Sequence, residues 1–484
     1  MRWILTAVLL LLAASPATAA EPGALTAAAI DALVVKHREA TGLPGVAVVV
    51  TKGTEVVHAA GYGHSPDGRP ITDRTPMAVA SVSKSFTALA VVQLAEAGWV
   101  RLDAPVREFL PEFTMADPRS AGITVRQLLN QTSGMSDSTY AATSGPQAAT
   151  LGEAVAMLKP ATLAAAPGTA WSYHNPNYVV AARLVEVVSG KPFATYLRDH
   201  VFAPLRMNDS TTADTDRDLP PSARGHLMPL GFPLAVPEPT SFGNGSGGVL
   251  STARDMAAWL IAQNYGGGAV VSPAGLAELR TPTPVSGSYA LGWSLDTTAS
   301  GSPVIEHAGD LFTSTAYQAV LPSSGYGIAV MANTGTVYGD ASTLARTVIA
   351  AAEGQATPGE PSRTGLVVTD AVMLALAVFV VAFSARGVRR AVRSPVRRGP
   401  WRTGLSLAVL VAPLMLCLTA HHVVSYLYRG RDVGWTHLFY FYPVFMVLLC
   451  AMAIGGVTVA LARLVFRERS TAPGQGLEIS RTAA

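Results

Sequence analysis

Cysteine is almost absent from this sequence, which has two in 484 residues. Both, Cys417 and Cys450, lie in long apolar runs near the C-terminus, and residues 21–365 have none. The segment 21–365 therefore cannot form a disulfide bond or a thiolate metal site. Its stability must come from its hydrophobic core.

A strongly basic domain is missing as well. The formal net charge is +3, but residues 21–365 carry 21 basic and 28 acidic side chains, whereas residues 366–484 carry 13 basic and 4 acidic ones. The basic excess thus belongs to the apolar C-terminal region, where positive charge governs membrane topology. We expect no nucleic-acid partner.

Apolar segments at both ends predict export and membrane anchoring. Residues 1–20 combine an early Arg2, an apolar stretch and a small-residue cleavage pattern at 17–19, which predicts a signal peptide. Three longer apolar runs, 366–384, 404–428 and 436–462, are each long enough to cross about 30 Å of hydrocarbon. They predict a membrane region over 366–466 with three transmembrane helices.

Arginine is distributed unevenly around these three runs. Seven arginines lie between the first and second runs, only two lie between the second and third, and the residues after the third run are basic again. By the positive-inside rule, the seven-arginine loop and the tail 467–484 lie in the cytoplasm. We therefore expect a multi-pass cell-membrane protein whose residues 21–356 form an extracytoplasmic domain, joined to the membrane region by the linker 357–365.

The extracytoplasmic domain has strand signals at both ends and helical segments between them. A helix at 24–41 and a hairpin with strands at 45–51 and 56–62 come first. The last part contains strand patterns at 289–295, 304–306, 314–321 and 326–333, followed by a helix at 340–353. This order predicts an α/β fold with one sheet built from both ends, flanking N- and C-terminal helices and a mostly helical inserted subdomain.

The sequence Ser81-Val82-Ser83-Lys84 opens an apolar run and suggests a nucleophile. If 82–97 is a helix, Ser81 and Lys84 share one face, because residues three apart are neighbours on a helix surface. A desolvated lysine can take the proton of a serine hydroxyl and so activate it. Taken alone, the pair could equally be a capping serine beside a solvated lysine.

Three other segments bear on this pair. Tyr173 and Asn175 lie two positions apart, which puts them on one side of an extended segment. His307 and Gly309 come near the end of a predicted strand, where glycine would let a substrate approach the backbone. The glycine-rich stretch 245–252 lacks the lysine and the spacing of a P-loop, so it predicts a loop that leads into a helix N-cap at Thr252.

Together, these segments resemble the serine β-lactamase and penicillin-binding superfamily. The likeness covers about residues 25–355 and is closest to the branch with class C β-lactamases, D-alanyl-D-alanine carboxypeptidases, D-aminopeptidases and family VIII esterases. It rests on ordered stretches of family-like sequence: Ser81–Lys84, Ile123–Gly134, Tyr173–Asn175, Gly247–Thr252, Leu291–Trp293 and His307–Gly309. The resemblance implies a β-lactamase/transpeptidase-like antiparallel sheet and a serine hydrolase that needs no cofactor or metal.

The resemblance also implies roles for individual residues. Ser81 would form an acyl-enzyme, Lys84 and Tyr173 would share the proton transfers, and Asn175 would hold the substrate amide. His307 and Gly309 would lie beside the bound substrate on a strand that edges the cleft. The backbone N–H groups of Ser81 and Asp310 would form the oxyanion hole, a role that stabilises the developing negative charge.

His307 departs from the pattern of the β-lactamases and most carboxypeptidases, which have a lysine there. A neutral histidine attracts a substrate carboxylate less than an ammonium does. An esterase or D-amino-acid peptidase is therefore a better expectation than a true β-lactamase, with a cell-wall peptide, a D-amino-acid peptide or an ester as substrate. The alternative is a catalytically silent protein that binds cell-wall peptide or β-lactam and acts as a sensor.

Three histidines accompany the aromatic residues near the outer ends of the second and third apolar runs. Tyrosine and tryptophan at these positions are typical of the belt at a membrane–water interface. His421, His422 and His437 fit the same interfacial belt, and the alternative is a metal site. The apolar runs themselves predict the lipid bilayer as a partner.

Overall fold

The computed structural model describes residues 25–239, 241–359, 361–393 and 400–469. The predicted signal peptide and the tail beyond residue 469 lie outside the described residues. Residues 394–399 of the arginine-rich loop lie outside them as well.

A six-stranded antiparallel sheet forms the centre of the domain that precedes the apolar helices. Its strands are β1 (Gly45–Lys52) and β2 (Glu55–Gly63) from one end of the domain and β8 (Ser294–Thr297), β9 (Pro303–Asp310), β10 (Thr315–Leu321) and β11 (Tyr326–Ala332) from the other. The spatial order is β2-β1-β11-β10-β9-β8, so β1 pairs with β11 and joins the two ends of the domain. This confirms the predicted β-lactamase/transpeptidase-like sheet.

Short strands lie in the inserted region. Three of them, β3 (Met77–Ala78), β4 (Thr211–Thr212) and β7 (Val249–Ser251), form a small sheet in the order β3-β7-β4, and β5 (Gly225–Leu227) pairs with β6 (Leu234–Val236). The insertion is otherwise mostly helical, as predicted.

Nine α-helices of four residues or more belong to the described part of this domain. They are α1 (Ala27–Thr41), α2 (Ser83–Glu96), α3 (Val125–Leu129), α4 (Leu151–Ala156), α5 (Pro176–Ser189), α6 (Phe193–Leu197), α7 (Ala253–Asn264), α8 (Pro273–Leu279) and α9 (Asp340–Ala352). Their N-caps follow the sequence: Thr26 caps α1, and the Thr252 hydroxyl accepts a hydrogen bond from the Asp255 N–H at the start of α7. The predicted start of α7 is therefore confirmed.

The alternation of side chains along β1 divides the core into two layers. Val48 and Val50 face one side of the sheet and pack in the layer formed with α1 and α9. Ala47 and Val49 face the other side and belong to the larger layer around α2, α5 and α7. Helix α2 lies inside that larger layer, and most of its residues are buried. A polar group on α2 is therefore held in the core of the domain.

One predicted strand is wrong. The pattern at 289–295 predicts a strand, but β8 begins at Ser294 and Tyr289 lies in a loop that meets Ser294 through a single bridge. Gly292 in this loop has a φ of +74°, a left-handed conformation that interrupts an extended strand. A Cβ at position 292 would also lie 2.7 Å from the Lys84 carbonyl oxygen, so the loop packs tightly against α2.

Three helices in the described ranges are long and apolar enough to cross a membrane. They lie within α10 (Thr364–Arg393), α11 (Pro400–Leu427) and α13 (Pro443–Arg469), and their most apolar windows have mean hydropathies of 2.6, 2.0 and 2.5. The first two contain the predicted spans 366–384 and most of 404–428. These helices fit association with a membrane.

The third predicted span, 436–462, is not one continuous helix. Its first residues form a separate short helix, α12 (Trp435–Phe441), and the chain breaks at Tyr442 before α13 begins. Proline at position 443 disfavours the helical conformation for the residue before it, which explains the break. The apolar segment long enough to span is therefore Pro443–Phe466.

Candidate active site

Ser81 lies in a tight turn immediately before α2. Residues Ala80–Val82 form a 3₁₀ turn, and the α-helix itself begins at Ser83, close to the predicted start. Ala80 has a φ of 49°, which is unusual for a residue with a side chain and costs about 1–3 kcal/mol. The surrounding structure thus holds the turn that presents Ser81 in a strained conformation.

Gly309 makes room for this turn. A Cβ at position 309 would lie 2.3 Å from the carbonyl oxygen of Val79 and 3.1 Å from the Cβ of Ala80. The sequence suggests that glycine at this position admits a substrate. In the structure, the chain's own backbone approaches it, so Gly309 lets the turn that carries Ser81 pack against β9.

Lys84 is fully buried next to Ser81. Its Nζ donates to the Ser81 Oγ at 3.0 Å and to the Ser246 carbonyl oxygen at 2.8 Å. Burial lowers the pKa of Lys84 well below its ordinary value of 10.5, and the nearby positive charge of Arg431 lowers that pKa further. A lysine in this environment loses its proton readily and can then accept one from the serine hydroxyl.

Tyr173 lies on the other side of the Ser81 hydroxyl. Its phenol donates to the Ser81 Oγ at 2.8 Å, and its ring centroid lies 4.8 Å from the Lys84 Nζ. Burial raises the pKa of Tyr173 above its usual value, so the phenol keeps its proton at neutral pH and can donate it. The structure therefore brings Ser81, Lys84 and Tyr173 together, as the sequence predicts.

Gln131 positions the Tyr173 segment. It has a φ of 63°, and its side-chain oxygen accepts hydrogen bonds from the His174 N–H at 3.0 Å and the Asn177 amide at 2.6 Å. Its carbonyl oxygen accepts from the Ser172 N–H at 2.9 Å. The family-like stretch 123–134 therefore serves the site indirectly, by holding the backbone on both sides of Tyr173.

Asn175 does not lie in an extended segment with Tyr173, so that expectation is wrong. It has helical dihedral angles, φ −56° and ψ −40°, and it leads directly into α5. Pro176 occupies the first position of α5, where its missing N–H leaves no helical hydrogen bond unmade. The exposed Asn175 lines a cavity of about 630 Å³ beside the site rather than contacting the Ser81 hydroxyl.

His307 is buried on β9 with its ring centroid 6.4 Å from that of Tyr173. Its Nε2 is 3.0 Å from the Tyr289 hydroxyl and its Nδ1 is 2.6 Å from the Ala308 carbonyl oxygen. Burial, followed by the effect of the Lys84 charge, lowers the pKa of His307 to about 3. His307 is therefore neutral at ordinary pH, and Tyr289 is a partner that the sequence did not indicate.

The glycine-rich stretch 245–252 does more than lead into a helix. The Gly245 carbonyl oxygen accepts from the Thr87 hydroxyl at 2.6 Å, the Val249 N–H donates to the Ser83 Oγ at 2.9 Å, and Ser246 binds Lys84. Because its glycines have no side chains, the loop packs closely against α2. The carbonyl oxygen of Ser246 also accepts a hydrogen bond from the buried Lys84. The sequence predicted the loop but not its contact with the site.

The cavity beside Asn175 extends to Asp310 and to the membrane region. Its wall includes Arg431, whose guanidinium carbon lies 5.7 Å from the centroid of the Tyr173 ring. Asp310 is exposed at the end of β9, and its carboxylate accepts from the Thr336 hydroxyl at 2.6 Å. Arg431 comes from the chain between α11 and α12, far outside the sequence motifs, and no pattern in the sequence pointed to it.

Within the ranges that the structure describes, no three histidine, cysteine, aspartate or glutamate side chains are grouped as metal ligands. The rings of His421 and His422 are tilted by 36° with their centroids 3.9 Å apart. His437 instead accepts from the Gly434 N–H through Nδ1 at 3.1 Å, and its ring packs against Phe312.

An antiparallel sheet flanked by helices, with a serine held between a buried lysine and a tyrosine, defines the β-lactamase/transpeptidase-like class of fold and site. The family model described as Beta-lactamase matches residues 30–353. The chain belongs to this family.

Individual relatives agree with this assignment. Protein flp of Staphylococcus aureus (strain MW2) is 26% identical over 319 residues, covering 64% of this chain and 63% of that protein, so the chain spans less than two thirds of that relative's length. Penicillin-binding protein 4 of Amycolatopsis lactamdurans is 30% identical over 325 residues, covering 63% of this chain and 84% of that protein. Among solved structures, a D-stereospecific amidohydrolase from Streptomyces sp. superposes with a TM-score of 0.55 at 25% identity, covering 69% of this chain and all of that one.

Proposed function

We propose that this protein is a membrane-anchored serine hydrolase that cleaves an ester or amide bond through an acyl-enzyme on Ser81. The observation that carries this proposal is the pair of contacts at the serine hydroxyl. Lys84 lies 3.0 Å and Tyr173 lies 2.8 Å from the Ser81 Oγ. Lys84 has a lowered pKa and can accept a proton, whereas Tyr173 has a raised pKa and can donate one.

In the acylation step, neutral Lys84 takes the hydroxyl proton as the Ser81 Oγ attacks the carbonyl carbon. The resulting oxyanion is bound by the backbone N–H groups of Ser81 and Asp310, a contribution of about 3–4 kcal/mol for each such donor. The tetrahedral intermediate then expels the alcohol or amine, which receives a proton from Tyr173, and Tyr173 is reprotonated from Lys84. Water attacks the acyl-enzyme by the reverse sequence of proton transfers.

Asn175 is proposed to bind the amide or acyl group of the substrate from the start of α5. His307 and Gly309 border the same region from β9. Since His307 is neutral, it brings no positive charge to this region. An ester or a D-amino-acid amide or peptide fits this environment better than a β-lactam, and the structural likeness to a D-stereospecific amidohydrolase supports the same class.

The proposed location is the extracytoplasmic side of the cell membrane. It rests on the signal-peptide pattern of residues 1–20 and on the arginine-rich loop between the first two apolar helices. The three apolar helices fit the membrane anchor itself. Cell-wall peptides and esters that reach the outer surface are then accessible to the Ser81 site.

The test uses the full chain in detergent with a serine-directed phosphonate and a short-chain para-nitrophenyl ester. We expect the phosphonate to label the wild-type protein on Ser81 and the ester to be turned over. Both should be lost in Ser81→Ala but retained in Ser300→Ala, which removes an exposed hydroxyl from the turn before β9. Equal labelling of wild type and Ser81→Ala, or no labelling of either, would contradict the proposal. Labelling without turnover of any ester or amide would favour the silent sensor.

A further inference from the structure

The segment between α11 and α12 is attached to the catalytic domain at the edge of the active site. The Asp432 carboxylate accepts hydrogen bonds from the backbone N–H groups of Thr143 and Ser144 at 2.7 and 2.8 Å, and from the Ser144 hydroxyl. Further along, the Tyr440 hydroxyl donates to the Pro237 carbonyl oxygen at 2.8 Å. These contacts fix residues 428–434, here called the inter-span loop, against the domain.

Within the inter-span loop, Arg431 is oriented toward the proposed catalytic tyrosine by contacts that run through Asp137. Its Nε lies 2.7 Å from the Asp137 Oδ2, and the other oxygen of Asp137 lies 2.7 Å from the Nδ1 of His174. His174 is buried and stands between Tyr173 and Asn175 in the sequence. The same segment that carries the proposed catalytic tyrosine therefore also anchors the loop from the membrane region.

Arg431 remains available to a ligand. Its ion pair with Asp137 uses Nε, and a guanidinium has two further amino groups that can bind a carboxylate in a forked geometry. The side chain is 54% exposed and forms part of the wall of the 630 Å³ cavity that reaches Asn175 and Asp310. It therefore borders the space into which a substrate on Ser81 would extend.

Among the described residues that line this cavity, Arg431 is the only basic side chain of the lysine or arginine type. The carboxylates in the same wall already have donors. Glu238 accepts from the N–H groups of Phe312 and Thr313, and Asp310 and Asp432 accept from the groups named above. On β9, the buried His307 carries no charge. The positive charge at this cleft is thus supplied from outside the family domain, which ends at residue 353.

We propose that Arg431 binds a carboxylate of the substrate, so that the membrane region completes the active site and selects anionic acyl donors. This role rests on the proposed acyl-enzyme chemistry at Ser81. The proposal narrows the substrate class to esters or amides that carry a carboxylate. It also assigns a specificity-determining residue to the inter-span loop. Removal of the loop or its displacement from Asp137 would then alter which substrates are accepted.

The test compares matched acidic and neutral esters on the full-length protein in detergent. One pair, para-carboxyphenyl and para-carbamoylphenyl butyrate, places the carboxylate on the leaving group. The other, mono-para-nitrophenyl adipate and para-nitrophenyl hexanoate, places it on the acyl group. We expect Arg431→Gln to lower the acidic-to-neutral ratio of kcat/KM about 30-fold for at least one pair, as for loss of a charged hydrogen bond. Arg431→Lys should restore part of that ratio, because it keeps the charge.

Arg429→Gln is the matched control. It removes the same charge from an exposed position two residues away, and we expect it to leave both ratios unchanged. Unchanged ratios in Arg431→Gln would overturn the proposal. An equal loss for acidic and neutral esters, accompanied by a shift of the activity profile to higher pH, would overturn it too, since Arg431 would then act only through the pKa of Lys84. If the wild type hydrolyses none of the esters and no phosphonate labels Ser81, the proposed function itself fails.

Discussion

Two buried basic side chains, Lys84 and Arg363, lie in contrasting surroundings. Arg363 comes just before α10 and forms an ion pair with Asp340, whose carboxylate also accepts from the Thr334 hydroxyl and lies 3.1 Å from the His37 Nε2. Lys84 has only uncharged acceptors, a hydroxyl and a carbonyl oxygen, and no carboxylate pairs with it within the described ranges.

The difference separates a structural cation from the proposed catalytic base. The ion pair of Arg363 with its own carboxylate joins the helix α9 to the start of the first apolar helix. A buried ammonium without a carboxylate has its charged form destabilised, so its pKa falls and it becomes a base. Burial therefore accompanies an ion pair in one region and a lowered pKa in the other.

Replacing Lys84 tests this contrast most severely. We expect Lys84→Met to slow acylation of Ser81 by about 10⁴-fold, because the hydroxyl loses its general base. Thermal stability should not fall, since methionine fills a similar volume and removes the desolvation cost of a buried polar amine. The acylation rate is measured in single-turnover ester hydrolysis and the melting temperature by calorimetry in the same detergent.

The matched control for this change is Lys191→Met. Lys191 is partly exposed and pairs with Asp199 at 3.1 Å, so its loss should change neither rate nor stability measurably. A reduction of less than tenfold in Lys84→Met would show that Lys84 is not the base.

The opposite result is expected at the structural cation. Asp340→Ala leaves Arg363 buried without its carboxylate and should lower the free energy of unfolding by about 3–5 kcal/mol. The kcat of protein that remains folded should be unchanged, because Asp340 lies away from the Ser81 hydroxyl. Arg346→Ala on the exposed side of α9 is the control and should have little effect. A large loss of kcat at full stability would show that the two regions are not separate in function.

A smaller effect is expected from His307. Its pKa is about 3 in the folded protein against an ordinary value of 6.5, so only the unfolded chain binds a proton between these values. The contribution of His307 to the free energy of unfolding is therefore complete above pH 6.5. It decreases as the pH falls, by about 2 kcal/mol at pH 5.

This loss should be reduced in His307→Gln, which stays neutral and can still bond to the Tyr289 hydroxyl. Denaturant unfolding at pH 7 and pH 5 measures the difference, with exposed His64→Gln as control. The same dependence on pH in wild type and His307→Gln would contradict the assignment of a neutral buried histidine.

Much of the fold was predictable, because its signals are local. The β1–β2 hairpin and the helices α1, α7 and α9 follow from periodicity and caps within single segments. The position of Tyr289 was not predictable in this way: the apolar pattern favoured a strand, whereas Gly292 in a left-handed conformation forms a loop that fits against α2. The break at Tyr442 follows from Pro443, a local signal that the continuous hydropathy of 436–462 obscured.

The site was predictable only in part for a similar reason. Ser81 and Lys84 are three residues apart on the chain, so one turn brings them together. Tyr173 is 92 residues from Ser81, and only the family resemblance connected the two. Arg431 reaches the cleft through contacts between the inter-span loop and Asp137, almost 300 residues away in sequence, and neither local pattern nor family resemblance carries that information.

The central claim is that Lys84 is an uncharged base for Ser81 at neutral pH. It is tested most directly by the rate at which a serine-directed phosphonate modifies Ser81 in the full-length protein, measured from pH 5 to pH 10. The account predicts that this rate levels off well below pH 10.5, the ordinary pKa of lysine. A rate that continues to rise tenfold per pH unit up to pH 10 would contradict it.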